Sequence, residues 1–253
     1  MILKSVSYSS YRDYIKCPLM FFFRRIMWLK QPNEPIPLAF GKAFHTALEL
    51  FEKEGANPVR VFMREFTHSL VPHITAEKFS EERAEGIRLL QYWIDNNARI
   101  KKEEGIEITE HEVPFKLKIT RDPLNGSLLN LPSVNGYVDF VTKDGSIGDY
   151  KTSKKKFHQS DVDESDQPTF YYLWHLIERG TLPESFIYIV YRKGIKRVPY
   201  QVLRTHRTIE QISELLRNIQ SMVLDVEAKR YIERHNDSVR FCDCSMYEEM
   251  LRV

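Results

Sequence analysis

The sequence lacks the features that mark membrane, secreted and fibrous proteins. None of its apolar runs approaches the ~20 residues that a helix needs to cross a bilayer, and its start, Met-Ile-Leu-Lys-Ser-Val-Ser, has no hydrophobic signal segment. Only 3 of the 253 residues are cysteine, too few for a disulfide framework. No internal repeat or low-complexity segment is evident. We therefore expect a protein of the reducing cytoplasm with no membrane attachment.

An excess of charge of either sign is also missing. The formal net charge of +2, from 37 basic and 35 acidic residues, gives little sign of nucleic-acid binding. A nucleic-acid enzyme, however, needs to be basic only around its groove. With 42% hydrophobic and 28% charged residues, the composition is that of an ordinary globular protein. The length favours one domain of mixed class with a sizeable core.

The most informative stretch, from Gly136 to Lys151, is predicted to be a β-hairpin. Apolar residues flank the sequence Lys-Asp-Gly-Ser at 143–146, whose Asp-Gly pair favours a tight turn. Asp139, Asp149 and Lys151 are set into this apolar hairpin. Asp149 and Lys151 share one face of their strand, because side chains alternate, and Asp139 on the partner strand can lie opposite them.

This charged set favours a functional site over a structural one. Two carboxylates and an ammonium group on a half-buried face cost desolvation free energy unless a ligand or metal compensates. Oxygen ligands at that spacing suit a hard cation such as magnesium or manganese. The alternative is a surface hairpin with a solvated ion pair, since an Asp-x-Lys triplet alone is common. The turn, the spacing and the apolar neighbours make the site the better interpretation.

Helices dominate the prediction for the first part of the chain. The apolar periodicity indicates helices over 7–30 (interrupted at Cys17-Pro18), 39–54, 57–70 and 80–104, the last capped by Ser80. His45 lies beside the apolar stripe of the second helix, one turn after Gly41, which we expect to permit close approach to a neighbouring element. A lone helical histidine is more often a packed or surface residue than a metal ligand.

Strands alternate with helices in the second part. Strands are predicted over 106–119, on both sides of the hairpin turn, and over 185–191 and 197–204; helices are predicted over 165–178 and from Thr208 to about 234. Gln167 and Tyr171 lie one turn apart on the first of these helices, an ordinary polar pair by itself. Lys154, Lys155 and Lys156 would usually form a solvated loop. Their place directly beyond Lys151 makes contact with phosphate a reasonable expectation.

The motifs together resemble the PD-(D/E)XK nuclease superfamily, and within it the RecB-type exonuclease branch, which includes the AddB nuclease domain and CRISPR-associated RecB-like nucleases. They follow in family order over nearly the whole chain: Ser7-x-Ser9 and Cys17-Pro18, Gly41-x-x-x-His45, Gly136-x-x-Asp139, Asp149-x-Lys151, Gln167-x-x-x-Tyr171 and a tail with cysteines. The resemblance implies an α/β, restriction-endonuclease-like core, a small mixed sheet flanked by helices. It also implies a single RecB-like nuclease domain over 1–253, with a mainly helical part (1–105), a catalytic sheet core (106–205) and a C-terminal helix and tail (206–253).

The same resemblance implies an activity and its residues. The expected function is metal-dependent hydrolysis of DNA, as an exonuclease with little sequence specificity, in recombination, repair or replication, with a helicase or recombination partner. The implied metal ligands for Mg2+ or Mn2+ are His45, Asp139, Asp149 and the main-chain carbonyl of Tyr150. The other implied roles are catalysis by Lys151 with Asp139 and Asp149, and DNA binding by Lys154, Lys155 and Lys156. Gln167 and Tyr171 are also implied in catalysis, where they would orient Lys151 or the DNA backbone.

Three points remain open at this stage. Glu112 stands where the family often carries Glu-x-Pro-Phe, with the acid near the active site, but a surface glutamate on an edge strand explains it equally well. The chain could also be a non-catalytic DNA-binding or assembly subunit, although an intact set of costly charges argues against that. A related enzyme acting on RNA is the third alternative.

The cysteines bear on a second cofactor. Many RecB-type nucleases bind a four-iron, four-sulfur cluster through one N-terminal cysteine and three near the C-terminus. Anchored on Cys244, the family spacing would require cysteine at Phe241 and Met250. At most three of four sulfur ligands are present, namely Cys17, Cys242 and Cys244, which could hold a residual cluster or zinc. We expect the iron-sulfur cluster to be lost and replaced by apolar packing of the tail.

Overall fold

The computed structural model describes residues 3–30, 33–197 and 199–230, together with Cys244 and Tyr247. Within these residues the chain forms eight α-helices and a six-stranded mixed sheet. The helices are α1 (Tyr8–Lys16), α2 (Pro18–Phe21), α3 (Ile36–Glu54), α4 (Pro58–Glu65), α5 (Ala76–Glu104), α6 (Gln159–Asp163), α7 (Asp166–Arg179) and α8 (Ile209–Glu227). The strands are β1 (Ser5–Val6), β2 (Ile108–Leu117), β3 (Ser133–Thr142), β4 (Ile147–Ser153), β5 (Phe186–Arg192) and β6 (Tyr200–Thr205). The predicted α/β class is confirmed.

The sheet has the order β1-β3-β4-β5-β6, and β2 pairs with β3. Two pairs are parallel, β1 with β3 and β4 with β5, and the remaining pairs are antiparallel. β1 comes from the part predicted to be mainly helical, yet it joins the sheet at Ser5↔Ser133. The predicted hairpin is β3 and β4, which places the Asp-x-Lys strand in the middle of the sheet.

Two apolar cores lie on opposite faces of the sheet. Along β5, alternate side chains enter the two cores: Phe186, Tyr188 and Val190 the first, and Ile187, Ile189 and Tyr191 the second. The helices α1, α7 and α8 cover the first face, with Phe170 and Ile212 in its core. The helices α3, α4 and α5 cover the second, with Phe44 and Trp93. A strand that is buried on both faces explains the continuous apolar run in β5.

Two helix starts differ from the prediction. The helix expected from residue 39 begins at Ile36, because Pro35 and Pro37 occupy the N-cap and first turn, where the missing N–H costs nothing. The helix expected from Ser80 begins at Ala76, and the hydroxyl of Thr75 caps it by accepting from the Lys78 N–H at 3.2 Å. No helix in the described parts of the chain has the length and apolarity to span a membrane.

A small third cluster joins the N-terminal helices to the end of the chain. Cys17, Met20 and Phe23 pack with Cys244 and Tyr247, and the sulfur atoms of the two cysteines are 3.4 Å apart. Cys242 and the rest of the predicted apolar tail lie outside the described residues. The loss of the iron-sulfur cluster therefore stays a prediction.

Candidate active site

The site is built where two strands of the sheet separate. β3 and β4 pair only at Phe140↔Gly148 and Val141↔Ile147. One residue further, the Asp139 carboxylate accepts a hydrogen bond from the main-chain N–H of Tyr150 at 2.7 Å. A side-chain oxygen thus accepts the hydrogen bond that a main-chain carbonyl would accept in a regular pair of strands. This bond holds the carboxylate rigidly in the gap between the strands.

Helix α3 brings His45 to this carboxylate. The inward face of the helix, including Phe40 and Phe44, packs in the second core, and this fixes the direction of the neighbouring histidine. Nδ1 of His45 lies 3.2 Å from Oδ2 of Asp139. Burial by itself would lower the pKa of His45, but the carboxylates of Asp139 and Asp149 outweigh it and raise that pKa.

Gly41 does not have the role predicted for it. A Cβ atom at this position would have no atom within 4 Å, so the glycine does not allow a close helix approach. Instead it lines a cavity of about 440 Å³ together with His45, Glu112 and Asp139. The absence of a side chain at Gly41 keeps this cavity open beside the histidine.

Glu112 lies in the same group, and its position bears on a point that the sequence left open. It lies between the ladder pairs His111↔Phe140 and Val113↔Val138, and hence opposite Asp139. Its backbone has φ +46°, a left-handed conformation that costs a non-glycine residue about 1–3 kcal/mol. Burial, and then the Asp139 carboxylate, raise the pKa of Glu112 to about 7. The strain and the displaced pKa both favour a functional glutamate over an edge-strand surface residue.

One potential ligand atom from each of His45, Glu112 and Asp139 lies within 4.8 Å of the other two. Among the described residues, these three form the group of histidine and acidic side chains that could hold a metal ion. One imidazole and two carboxylates are ligands that suit a divalent cation such as Mn2+, and the carboxylates also suit Mg2+. The carboxylates of the half-buried Glu112 and the buried Asp139 repel each other, and a bound cation would relieve that repulsion. The residues therefore fit a divalent metal.

Asp149 lies beside this group with both of its oxygens engaged. Oδ1 accepts a hydrogen bond from Nε2 of Gln167 at 2.6 Å, and Oδ2 forms an ion pair with the ammonium group of Lys151. Burial raises the pKa of Asp149 to about 6, Lys151 opposes this shift, and Asp139 adds to it. A role of Asp149 as a metal ligand stays a prediction, as does that of the Tyr150 carbonyl.

The amide of Gln167 is fixed from three sides. Its Nε2 donates to Asp149 and, at 3.1 Å, to the hydroxyl of Tyr171; its Oε1 accepts from the hydroxyl of Tyr188 at 3.3 Å. Gln167 and Tyr171 share a face of α7, as their spacing predicts, but the partner of Gln167 is the carboxylate of Asp149 and not Lys151. Sequence analysis missed Tyr188, because one tyrosine in an apolar strand gives no signal.

The three consecutive lysines take different directions. Nζ of Lys154 lies 3.0 Å from Oε1 of Glu82 on α5. Lys155 and Lys156 line a second cavity, of about 460 Å³, on the Lys151 side of the site. DNA binding by these lysines stays a prediction.

Comparison with known proteins gives the family and the fold of the chain. A sequence model described as the PD-(D/E)XK nuclease superfamily matches residues 5–247. A search of curated proteins finds no match. A candidate exonuclease from Eubacterium rectale superposes with a TM-score of 0.55 at 12% identity, over 95% of this chain and 86% of that chain, which confirms the restriction-endonuclease-like fold. LHK-Exo in complex with dAMP gives a TM-score of only 0.28 at 13% identity, over 77% of this chain and 95% of that chain, and carries no argument.

Proposed function

The chain belongs to the PD-(D/E)XK nuclease superfamily, and on that premise we propose that it is a metal-dependent nuclease that hydrolyses DNA phosphodiester bonds from a strand end. The RecB-type branch is the proposed place within the superfamily, because Gln167 and Tyr171 follow the Asp-x-Lys strand. A role in recombination, repair or replication, with a helicase partner, belongs to the same proposal.

One observation carries the proposal. The group of His45, Glu112 and Asp139 lies directly beside the Asp149–Lys151 ion pair, in the gap where β3 and β4 separate. The gap therefore holds groups that suit a divalent metal and a cation that can face a phosphate. A non-catalytic subunit would have no need of a strained, half-buried Glu112 or of a buried Asp149, each with a raised pKa.

His45, Glu112 and Asp139 would hold Mg2+ or Mn2+, with Asp149 as a further proposed ligand. When bound, such a cation withdraws electron density from a phosphate oxygen and lowers the pKa of water, which supplies a nucleophile near neutral pH.

The residues of the chain supply the remaining parts. Lys151, whose side chain is 31% exposed, can place its ammonium group against the negative charge that develops on the phosphate. Asp149 orients that ammonium group, and Gln167 fixes Asp149 through its 2.6 Å hydrogen bond. Because these contacts are with phosphate and not with base edges, we expect little sequence preference.

The test is a cleavage assay on linear and circular DNA, single- and double-stranded, and on RNA of the same sequence. Each is incubated with Mg2+, with Mn2+ or with excess chelator. We expect metal-dependent cleavage of linear DNA from its ends. Cleavage of circular DNA would show endonuclease activity, faster cleavage of RNA would change the substrate class, and cleavage in excess chelator would refute the proposal.

A further inference from the structure

Two cavities of similar size open at the site, one lined by the candidate metal ligands and one by Lys151, and the charged side chains that line them are mostly of opposite sign. The cavity beside His45, which we call the acidic cavity, is lined by the carboxylates of Glu49, Glu112 and Asp139 against the single lysine Lys42. The cavity beside Lys151, which we call the basic cavity, is lined by the cations of Arg12, Lys151, Lys155 and Lys156 against the single carboxylate of Asp161. In the metal-free protein, a polyanion at the site meets attraction on the side of the basic cavity and repulsion on the side of the acidic cavity, whose His45, Glu112 and Asp139 are the proposed metal ligands.

Some of these charged groups are already paired on each side: Glu49 of the acidic cavity with Lys53 at 2.8 Å, and Lys151 of the basic cavity with Asp149. In the acidic cavity, the ammonium group of Lys42 is paired with Glu34 at 2.5 Å. In the basic cavity, Oδ2 of Asp161 accepts a hydrogen bond from the main-chain N–H of His158 at 2.7 Å. Arg12, Lys155 and Lys156 form no ion pair with other described residues, so the basic cavity keeps three cations that a polyanion can contact.

The loop that carries the lysines is held in place before any ligand binds. The hydroxyl of Ser153 accepts from the Lys155 N–H at 3.0 Å and donates to the Lys155 carbonyl at 2.9 Å. The amide of Gln201 makes a matching pair with the main chain of Phe157, at 3.1 Å in both directions. Such a loop loses little conformational entropy when it binds, which favours a binding surface over a solvated tether.

Aromatic rings stand among these cations. The ring of Tyr8 lies under the guanidinium group of Arg12 at 5.7 Å, and that of Phe157 packs on Tyr188 at 6.4 Å. Tyr8 and Phe157 are half-buried, so each presents part of its ring to the basic cavity. Aromatic rings beside basic groups bind nucleotides, because bases stack on the rings while phosphates contact the cations.

We propose that this protein holds a nucleic-acid strand on one side of the scissile phosphate only. The adjoining nucleotide lies in the basic cavity, its phosphate against Arg12, Lys155 and Lys156 and its base against Tyr8 or Phe157. This inference rests on the proposed nuclease function and adds a specific subsite to it. The ligand of this subsite is a nucleotide whose base can separate from the neighbouring bases on which it stacks.

Binding and kinetics of matched variants test the proposal. Arg12→Gln combined with Lys156→Gln removes two exposed cations from the basic cavity, and Lys42→Gln removes the lysine of the acidic cavity. The probe is a fluorescent single-stranded oligonucleotide in chelator, followed by anisotropy. We expect about tenfold weaker binding for the double variant, a flatter salt dependence with the slope smaller by about 1–2, and a change under about twofold for Lys42→Gln. Unchanged thermal melts confirm that the variants are folded.

The cleavage reaction gives the second readout. We expect the double variant to raise KM about tenfold with kcat nearly unchanged, because its cations hold the neighbouring nucleotide and not the reacting phosphate. An equal loss of binding in Lys42→Gln, or no loss in the double variant, would overturn the one-sided subsite. Failure of the wild type to cleave any substrate, with the asymmetry of binding retained, would refute the nuclease function and leave the subsite standing.

Discussion

The carboxylate of Asp139 and the main-chain N–H of Tyr150 are joined by a 2.7 Å hydrogen bond across the point where β3 and β4 separate. The bond replaces a ladder contact that the diverging strands can no longer make. It also ties a proposed metal ligand to the strand that carries Asp149 and Lys151. Any change that shifts β4 relative to β3 should therefore disturb both halves of the site together.

Gly148→Ala should show this dependence. A Cβ atom at Gly148 would lie 2.0 Å from the ring of Phe140 and 2.7 Å from the carbonyl oxygen of Ile187. Because a backbone atom cannot yield, we expect a loss of about 2 kcal/mol or more in the free energy of unfolding, and a loss of activity. Gly41→Ala is the matched control, since its added Cβ meets nothing and should be neutral or stabilising. Equal urea midpoints for the two variants would contradict the packing described here.

Gln167→Leu tests the contact that holds Asp149. The substitution removes the 2.6 Å hydrogen bond and leaves a buried carboxylate with one partner fewer. We expect kcat to fall about tenfold or more with little change in KM. Tyr188→Phe removes only the hydroxyl that orients Gln167 and should lower kcat by a smaller factor, on the order of threefold. A larger fall in kcat for Tyr188→Phe than for Gln167→Leu would contradict the view that Gln167 holds Asp149 and that Tyr188 only orients Gln167.

The residues that sequence analysis found and those it missed differ in a physical way. Asp139, Asp149 and Lys151 follow from the period of a hairpin, and Gln167 with Tyr171 from the period of a helix. Local geometry determines both patterns, so a single sequence reveals them.

Contacts between distant elements give no such signal. Sequence analysis could not place Glu112 beside Asp139, because the register of β2 on β3 and the left-handed backbone at Glu112 arise only in the assembled sheet. Tyr188 was missed because its contact with Gln167 joins a strand to a helix, and a single tyrosine in an apolar strand gives no signal of such a contact. The N-cap of α5 is Thr75 and not Ser80, which shows that two available hydroxyl caps cannot be ranked by residue type alone.

The raised pKa of Glu112 predicts a pH dependence of the metal-free protein. Its pKa rises from 4.5 to about 7 on folding, so the folded state holds the proton more tightly than the unfolded state. The stability that this group contributes is present below about pH 4.5 and is lost as the pH rises through 7. In chelator, wild type should lose about 1–2 kcal/mol relative to Glu112→Gln between about pH 5 and pH 8. The full rise of the pKa from 4.5 to about 7 would give about 2.5 kcal/mol over this range, and solvent around the half-buried carboxyl group reduces it.

Denaturant unfolding of both proteins across that range measures the difference. Asp149 titrates in both, so its contribution largely cancels in the comparison. Addition of Mn2+ at about pH 8 should stabilise wild type more than Glu112→Gln. A constant difference between the two proteins at every pH would show that Glu112 is not protonated in the folded state.

Lys151→Ala tests whether this lysine acts in the chemical step and not in metal binding. The ammonium group is assigned to the charge that develops on the phosphate, so kcat should fall about 100-fold or more while metal affinity changes little. Lys143→Ala is the control, because Lys143 forms an exposed pair with Glu107 at 3.0 Å, away from the site. An unchanged kcat in Lys151→Ala would show that this lysine is only a surface charge.

The most direct test of the proposed metal site is a calorimetric titration of Mn2+ into metal-free wild type, His45→Ala and Asp139→Asn, with DNA cleavage measured on the same samples. We predict binding by wild type, at least about tenfold weaker binding by His45→Ala with a nearly unchanged thermal melt, and no detectable binding by Asp139→Asn. Cleavage should fall in the same order. Equal Mn2+ affinity in all three proteins, or cleavage that persists in Asp139→Asn, would contradict a metal-dependent nuclease centred on His45 and Asp139.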